Sequence, residues 1–294
     1  MTAPADAATR FDVVVVGSAN LDLVAHLDHL PKPGETRLAI GYEEHAGGKG
    51  LNQAVACARM GAKTAFAGCV GDDDAGAMLR GVLEREGIDT SMLLTVDSPT
   101  GRAFINVDRH GENEIVVVSG ANARVTVPAL PATAVVLLQL EIPLDVVDGV
   151  LRAAKAAGAT TVLNPAPAAE LAPETLALVD VLLPNETESA ALGGTSALLQ
   201  RGVRTIVTTL GEHGAAIETA EGRITIAPHR VTPVDTVGAG DAFTGALCAQ
   251  LAMGHSLEDA ARVGAVAGAL ATTKKGAVPS LPTRDAVHAV LAGE

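Results

Sequence analysis

Residues 11–22 read F-D-V-V-V-V-G-S-A-N-L-D, which is a run of valines, a glycine and then a set of small and polar side chains. A continuous β-branched run such as Asp12–Val16 is typical of a strand that is buried on both faces of a parallel sheet. In open sheets of that kind, ligands bind beyond the carboxyl ends of the strands. The segment therefore predicts both the fold class and the edge of the sheet where the chemistry lies.

The polar side chains that follow this strand include Asn20 and Asp22, which are two positions apart. On an extended segment that spacing places both side chains on one face, where they suit a pair of adjacent hydroxyl groups. An Asx turn at the end of the strand is the simpler explanation when these residues are taken alone.

The pattern repeats along the chain, where short apolar runs alternate with Ala-rich stretches long enough for helices. Further strands are expected at Thr64–Val70, Val135–Leu140, Thr160–Leu163, Val179–Leu183 and Thr205–Thr208. Helices are expected at Asn52–Met60, Ala75–Glu86, Leu144–Ala157, Leu192–Gln200, Asp241–Met253 and Leu257–Thr273. This alternation predicts an α/β fold with a doubly wound (Rossmann-like), mostly parallel sheet and helices on both faces.

Two segments, at about 20–43 and 100–119, depart from this rhythm and show strand-like alternation instead. The turn signal D-R-H-G-E-N at 108–113 predicts a hairpin between two strands. We expect a small antiparallel β lid inserted in a single domain of residues 1–294. A two-faced sheet needs a cover, which we expect to be substrate on one part and a second subunit on another.

The composition of the 294-residue chain excludes several classes of function. A net charge of −13 leaves no basic face for nucleic acid or an anionic membrane, and 2% aromatic residues exclude a stacking platform for single strands. No run reaches the roughly 18 apolar residues of a transmembrane helix, and the N-terminus does not resemble a signal peptide. Cys57, Cys69 and Cys248 lack ligand spacing, so we expect buried free thiols in a reducing cytoplasm.

A glycine-rich segment, G-G-K-G-L-N-Q at 47–53, opens an Ala-rich helix. It lacks the Ser or Thr that a P-loop requires after its lysine, so a P-loop NTPase is excluded. The glycines still permit close approach of the backbone to a ligand at a helix N-terminus, although most such segments are ordinary turns.

Acidic positions adjoin two other predicted strands. Glu141 follows the strand Val135–Leu140, where it points either toward the site or into solvent. Asn185 and Glu188 are three positions apart at the start of a helix, which suits a hydrated divalent cation near phosphates. The same spacing is that of a capping box, the simpler explanation when the pair is taken alone.

The most informative segment is P-V-D-T-V-G-A-G-D-A-F at 233–243, which runs into a helix. Its small residues leave free N–H groups that point at one spot, an anion hole reinforced by the helix dipole. These N–H groups belong to Gly238, Ala239, Gly240 and Asp241. A carboxylate on the first turn is stabilised in its ionised form, so Asp241 is a candidate general base. A G-x-G-x-x-G dinucleotide motif does not fit, because Phe243 occupies its last glycine position.

Several motifs together resemble a known family. D-T-V-G-A-G-D at 235–241 resembles the C-terminal signature of the PfkB carbohydrate kinases, and G-G-K-G-L-N-Q-A at 47–54 with G-x-x-x-D at 68–72 is similar to their N-terminal signature. Within the family, the chain most resembles the members that phosphorylate ribose. That resemblance rests on N-L-D at 20–22, L-N-P-A-P-A at 163–168, P-N-E-T-E at 184–188 and K-K-G-A-V-P-S at 274–280. The match runs in order from about Phe11 to about Pro282.

The resemblance implies ATP-dependent phosphorylation of the 5-hydroxyl of D-ribose, with Asp241 as the general base beside the anion hole. Implied sugar contacts are Asn20, Asp22, Gly48, Lys49, Asn52, Glu141 and Asp241. Implied nucleotide contacts are Asn185, Thr209, Leu210, Gly211, Glu212, His213, Gly214 and Gly240, with Glu188 for Mg²⁺.

The resemblance also implies a monovalent cation, K⁺, beside the anion hole and a homodimer that pairs its lids. The implied cation ligands are Asp235, Val237, Ala271, Lys274, Gly276 and Ser280, most of them through backbone carbonyls.

Some alternatives stay open. Another PfkB-type sugar or nucleoside kinase would fit the same motifs, although the chain has few aromatics to hold a nucleoside base. A non-catalytic sugar-binding regulator would not need Asp241 together with the anion hole. Between Glu188 and Gly202 the chain is about one helix shorter than the family pattern, which leaves the packing on the adenine side open.

Overall fold

The computed structural model describes residues 10–293, which form a nine-stranded sheet flanked by helices and a separate four-stranded sheet. The strands are β1 (Phe11–Val16), β2 (Asn20–His26), β3 (Gly41–Gly47), β4 (Thr64–Gly71), β5 (Asp89–Val96), β6 (Gly101–Val107), β7 (Asn113–Val118), β8 (Thr133–Leu138), β9 (Thr160–Leu163), β10 (Val181–Leu182), β11 (Thr205–Thr209), β12 (Ala215–Thr219) and β13 (Gly222–Ile226). The helices are α1 (Lys49–Arg59), α2 (Asp74–Arg85), α3 (Leu144–Ala156), α4 (Pro173–Leu176), α5 (Glu186–Ala191), α6 (Thr195–Gln200), α7 (Ala239–Ala252), α8 (Leu257–Ala271), α9 (Ala277–Ser280) and α10 (Arg284–Leu291).

The large sheet has the order β13-β12-β11-β10-β9-β8-β1-β4-β5. Its pairs are parallel except at one edge, where β11–β12 and β12–β13 are antiparallel. The predicted doubly wound, mostly parallel α/β fold is confirmed. The carboxyl ends of β1, β8 and β9 therefore open at the same edge of the sheet.

The valines of β1 explain why its sequence has no polar alternation. Val13 and Val15 lie in one buried cluster, together with residues of α1, α7 and α8. Val14 and Val16 lie in a second cluster, on the side of α3. A strand in the middle of a sheet that is covered on both faces buries every side chain, so each position is apolar.

The predicted strand runs are confirmed, but β5, β12 and β13 are additional strands. The edge strands β5 and β13 mix exposed and buried positions, and β12 lies between β11 and β13 as a run of only five residues. The helix expected at Leu192–Gln200 is present as α6 but begins three residues later, at Thr195. It is separated from α5 by Gly193 and Gly194, with φ of +96° and +84°. A left-handed pair of glycines ends one helix and begins the next.

The small sheet has the order β3-β2-β6-β7, and residues 20–26, 41–47, 101–107 and 113–118 form the lid. Its outer pairs are antiparallel and its central pair, β2–β6, is parallel, because both strands leave the large sheet in the same direction. The predicted hairpin turn at 108–113 is confirmed between β6 and β7. Every side chain of β7 is exposed.

Among residues 10–293 no helix combines the length and apolar character needed to cross a membrane. Cys57, Cys69 and Cys248 are buried free thiols, as predicted. Burial raises the pKa of the Cys57 and Cys248 thiols well above the ordinary value, so neither is a reactive nucleophile.

Candidate active site

The first turn of α7 lies where the sequence predicts an anion hole made by four free N–H groups. Gly238 is the N-cap residue in the left-handed conformation, with φ of 79°, and a Cβ there would lie 3.1 Å from the Cα of Ala277. Ala239 N–H donates to the Thr236 carbonyl at 3.2 Å, whereas the N–H groups of Gly240 and Asp241 find no backbone acceptor in the described part of the chain. These open donors and the helix dipole form a site for a negatively charged group.

Asp241 lies on this turn, and both of its oxygens are fixed by amides of α1. Asn52 Nδ2 donates to Asp241 Oδ2 at 2.9 Å, and Gln53 Nε2 donates to Oδ1 at 2.9 Å. The helices approach closely at Gly245, where a Cβ would lie 2.8 Å from the Gln53 carbonyl oxygen. Asp241 is only 8% exposed, so these two donors satisfy the oxygens of a buried carboxylate and fix its orientation.

The glycine-rich segment is tied to the end of β8 through Glu141. Glu141 Oε2 accepts from the Lys49 backbone N–H at 3.0 Å and from the Ser18 hydroxyl at 2.5 Å. A Cβ on Gly48 would lie 2.8 Å from the backbone nitrogen of Asn20, so this glycine permits the approach of the β1–β2 turn. Glu141 therefore faces the site instead of being a solvated loop carboxylate.

Asn20 and Asp22 lie on β2, at the base of the lid, and not in an Asx turn. Asn20 Oδ1 accepts from Asn122 Nδ2 at 2.7 Å, and Asn122 Oδ1 accepts from the Ala19 backbone at 3.0 Å. The amide nitrogen of Asn20 is thereby directed to a ligand. Asn20, Asn122 and Glu141 line a cavity of about 330 Å³.

The other predicted sugar contacts do not line this cavity: Asp22, Gly48, Lys49, Asn52 and Asp241. Asp22 is nevertheless close enough to two acidic groups for their charges to perturb its pKa. Burial and the charges of Glu141 and Asp241 raise the pKa of Asp22 to about 7, although His45 acts in the opposite direction. Burial lowers the pKa of Lys49, but nearby carboxylates outweigh it and raise that pKa above its ordinary value. Those carboxylates are Asp241, Glu141 and Glu188. Lys49 is thus an ammonium group in an acidic pocket.

A second cavity, of about 760 Å³, is lined in part by the N-terminus of α7. Its wall includes Thr209, Gly211, Glu212, His213, Gly214, Ala239 and Gly240, all singled out from the sequence. Leu210 does not line it, because its N–H closes the turn by donating to the Gly214 carbonyl at 2.8 Å. Residues 189–202, the shortened segment, contribute nothing to the wall, whereas the unforeseen 228–231 segment does.

Asn185 and Glu188 form the capping box of α5. Asn185 Oδ1 accepts from the Glu188 N–H at 2.7 Å, and Glu188 Oε2 accepts from the Asn185 N–H at 2.9 Å. Glu188 Oε1 makes no hydrogen bond with the described residues, and its charge reaches Lys49. One carboxylate oxygen is therefore available to a hard cation, a donor set that fits hydrated Mg²⁺.

Asp235 joins the segment before α7 to the segment before α9. Its Oδ1 accepts from the Val237 N–H at 3.0 Å and its Oδ2 from the Gly276 N–H at 2.8 Å. The structure thus brings Asp235, Val237 and Gly276 together, whereas the Ser280 hydroxyl is directed to the Ala277 carbonyl at 2.8 Å and Lys274 is exposed. One carboxylate with backbone carbonyls fits a monovalent cation. In the described residues no cluster of three His, Cys, Asp or Glu side chains offers another metal site.

Three side-chain amides that orient other residues of this site were not identified from the sequence. Asn122 orients Asn20, Gln53 holds Asp241, and Asn164 accepts from Gln53 at 3.0 Å. Gln53 and Asn164 lie inside motifs quoted above, and their burial among apolar strands and helices is the signal that could have identified them.

Comparison with known proteins agrees with this geometry. Residues 10–284 match the model of the pfkB family carbohydrate kinases. A Ribokinase of Haemophilus influenzae is 39% identical over 295 residues, covering 94% of this chain and 96% of that protein. The structure of Ribokinase from Thermotoga maritima superposes with a TM-score of 0.88 at 36% identity, covering 95% of this chain and 99% of the other. That of Arabidopsis thaliana Ribokinase complexed with Ribose and ATP gives 0.87 at 34% identity, covering 95% and 98%. The chain belongs to the pfkB family of carbohydrate kinases.

Proposed function

We propose that this chain transfers the γ-phosphoryl group of ATP to the 5-hydroxyl of D-ribose. The observation that carries the proposal is the position of Asp241. Its carboxylate shares the first turn of α7 with Gly240, which lines the larger cavity, and accepts a hydrogen bond from Asn52 of the glycine-rich segment. The same segment is bonded through the Lys49 backbone N–H to Glu141, which lines the smaller cavity. A base placed between an anion site and a hydroxyl site is what phosphoryl transfer to a sugar requires.

The residues on the sugar side provide the polar groups that a pentose needs. Asn52 Oδ1 is buried without a hydrogen-bond partner among the described residues, so it is an acceptor reserved for a ligand hydroxyl. Asp22 and Glu141 add carboxylate acceptors, while Asn20 and Lys49 add donors. Hydrogen bonds on several hydroxyls at once fix the orientation of the sugar.

In the transfer step Asp241 accepts the proton of the 5-hydroxyl as that oxygen attacks the γ-phosphorus and the bond to the β-phosphate oxygen breaks. The open N–H groups at the start of α7 stabilise the charge on the moving phosphoryl group. They are preorganised by the helix, so they need no rearrangement when charge develops. Closure of the lid over the sugar would exclude water as a competing acceptor.

We also propose two cations. Mg²⁺ would be held near Glu188 and Asn185 through water, where it would neutralise the phosphates. K⁺ would lie among Asp235 and the carbonyls of Val237, Ala271 and the 274–280 segment. Both would provide positive charge that a chain of net charge −13 lacks.

A homodimer through the lid is part of the same proposal. The support is the exposed apolar surface of β7, from Ile115 to Val118, together with Phe104 of β6. Such a surface on both faces of a small sheet needs a cover, which a second copy provides. We propose the cytoplasm as its compartment, since the three cysteines are free thiols.

The test is an ATP-consumption screen over ribose, 2-deoxyribose, fructose and adenosine. We expect ribose to give the highest kcat/KM, and activity to rise with K⁺ compared with Na⁺. Higher turnover of adenosine would overturn the assignment of a sugar acceptor, and an absence of phosphoryl transfer to every acceptor would favour a binding protein. A flat response to K⁺ would remove the cation site alone.

A further inference from the structure

A series of buried side-chain amides, joined by hydrogen bonds, lies behind Asp241. Gln139, directly after β8, donates from Nε2 to Gln53 Oε1 at 2.5 Å. Gln53 Nε2 in turn donates to Asp241 Oδ1 at 2.9 Å and to Asn164 Oδ1 at 3.0 Å. Gln53 and Gln139 are both fully buried. The side-chain amide of Gln53 thus connects α1 to α7 and to the carboxyl edge of the large sheet.

The orientation of each amide in this series of hydrogen bonds is determined by the next amide or carbonyl in the series. Gln139 holds the carbonyl oxygen of Gln53, so the NH₂ end of Gln53 has to face Asp241. Asn164 Nδ2 donates to the Leu183 carbonyl at 2.8 Å, so its oxygen faces Gln53. If the Gln53 amide were reversed, its oxygen would face the Asp241 carboxylate and the Asn164 oxygen. All of these oxygens are acceptors, so no hydrogen bond could form between them.

Burial of Gln139 at this position is energetically unfavourable. Its Oε1 is buried without a hydrogen-bond partner among the described residues, and the space for it exists because residue 17 is glycine. A Cβ on Gly17 would lie 2.1 Å from that oxygen. An unpaired buried carbonyl lowers stability, so an apolar side chain would suit the core better. What Gln139 contributes is the Nε2 donor to Gln53.

We propose that Gln139 is a positioning residue for phosphoryl transfer, acting through Gln53 to orient the carboxylate of Asp241. Donors on both oxygens prevent rotation of the carboxylate, so the same lone pairs face the acceptor hydroxyl in every molecule. Gln139 itself contacts neither the substrate cavities nor Asp241. The inference rests on the proposed function, since it assigns a role in the same reaction.

The experiment compares Gln139→Met, Gln53→Met and the double variant with Gln250→Met. Gln250 is a buried glutamine on the same helix as Asp241, and its amide contacts only Met253 Sδ, at 4.0 Å, among the described residues. It therefore controls for removing a buried amide from this core. The measurements are kcat, the dissociation constant for ribose by calorimetry, and the pH dependence of kcat.

We expect Gln139→Met to lower kcat roughly tenfold while the dissociation constant for ribose changes less than about twofold. In the Gln53→Met background, Gln139→Met should have no further effect, since its action passes through Gln53. Gln250→Met should leave kcat and its pH dependence unchanged.

The proposal is overturned if kcat of Gln139→Met matches that of Gln250→Met, if affinity for ribose falls as much as kcat, or if the two losses in kcat multiply in the double variant. Where Gln139→Met does not fold, Gln139→Asn replaces it, because the shorter side chain withdraws the same donor. A wild-type chain that phosphorylates no sugar overturns the proposed function, and the role of Gln139 with it. An active wild type with an unaffected Gln139→Met overturns the role of Gln139 alone.

Discussion

Asn52 of α1 and Asp241 of α7, 189 positions apart in the sequence, are joined by a hydrogen bond of 2.9 Å from the side-chain amide to carboxylate Oδ2. The other end of the same amide, Asn52 Oδ1, is buried and has no partner among the described residues. One end of this side chain therefore fixes the Asp241 carboxylate, while the other end is a buried acceptor without a partner in the described part of the chain. In the proposed reaction this residue would couple binding of the acceptor hydroxyl to the orientation of the base.

The first prediction is that Asp241→Asn retains sugar binding but loses turnover, because an amide keeps the shape of the side chain and cannot accept the hydroxyl proton. We expect kcat to fall at least about a hundredfold, the usual contribution of a general base. Calorimetry with ribose measures binding, and a coupled assay measures kcat. Asp285→Asn, an exposed first-turn aspartate of α10, is the control and should leave both quantities unchanged. A kcat near the wild-type value for Asp241→Asn would refute its assignment as the base.

The residues that could be predicted from the sequence are those whose role is decided within a few positions. The anion hole at Gly238–Asp241 depends only on small residues before a helix, and the strand β1 only on a run of valines. The glycine-rich turn at 47–50 is likewise local.

The residues that could not be predicted depend on contacts between distant segments. Asn122 reaches Asn20 across 102 positions, and Gln139 reaches Gln53 across 86. Nothing in the local sequence of either amide indicates its partner. The strands β12 and β13 were missed for a related reason, since β12 is stabilised by pairing with β11, and the edge strand β13 by pairing with β12.

The second prediction concerns pH. The pKa of Asp22 is raised to about 7 from an ordinary value of 3.8, by burial first and then by Glu141 and Asp241. Its sugar-binding form is the carboxylate, which accepts hydroxyl protons, so affinity for ribose should weaken as pH falls below about 7, approaching tenfold per pH unit. Titration calorimetry from about pH 5 to about pH 8.5 measures this, with uptake of protons visible in buffers of different ionisation enthalpy. A dissociation constant independent of pH in this range would contradict the role of Asp22.

The same pKa has a consequence for stability in the absence of sugar. The pKa of Asp22 is higher in the folded state than in the unfolded state. Asp22 therefore contributes to folding stability in full below about pH 3.8, and this contribution is lost as pH rises through about 7. Asp22→Asn removes the dependence, so its melting temperature should exceed that of the wild type most at about pH 8 and least at about pH 5. Equal shifts at both pH values would show that Asp22 is ionised throughout.

The third prediction tests the dimer. Phe104 and Val116 are register partners on β6 and β7, and both are exposed, at 47% and 57%. A charge on this apolar pair opposes burial against a second copy, so Val116→Lys should shift the sedimenting species from dimer to monomer. Ile224→Lys, an equally exposed residue on β13 of the large sheet, is the control and should leave the assembly unchanged. A wild-type chain that sediments as a monomer at micromolar concentration would exclude the lid dimer.

The last prediction concerns Arg59, which links the end of α1 to the segment beside Asp235. Its Nη1 donates to the carbonyls of Val278 and Leu281 at 2.9 and 2.6 Å, and its other nitrogens pair with Glu86. These bonds hold the 276–281 segment, whose Gly276 N–H donates to Asp235. Arg59→Met should lower the free energy of unfolding by about 2 kcal/mol and raise the K⁺ concentration for half-maximal activity. Glu86→Gln leaves both carbonyl contacts in place, so it should lower stability without changing the K⁺ requirement. If both variants shift the K⁺ requirement equally, the effect is one of general stability and Arg59 does not shape the cation site.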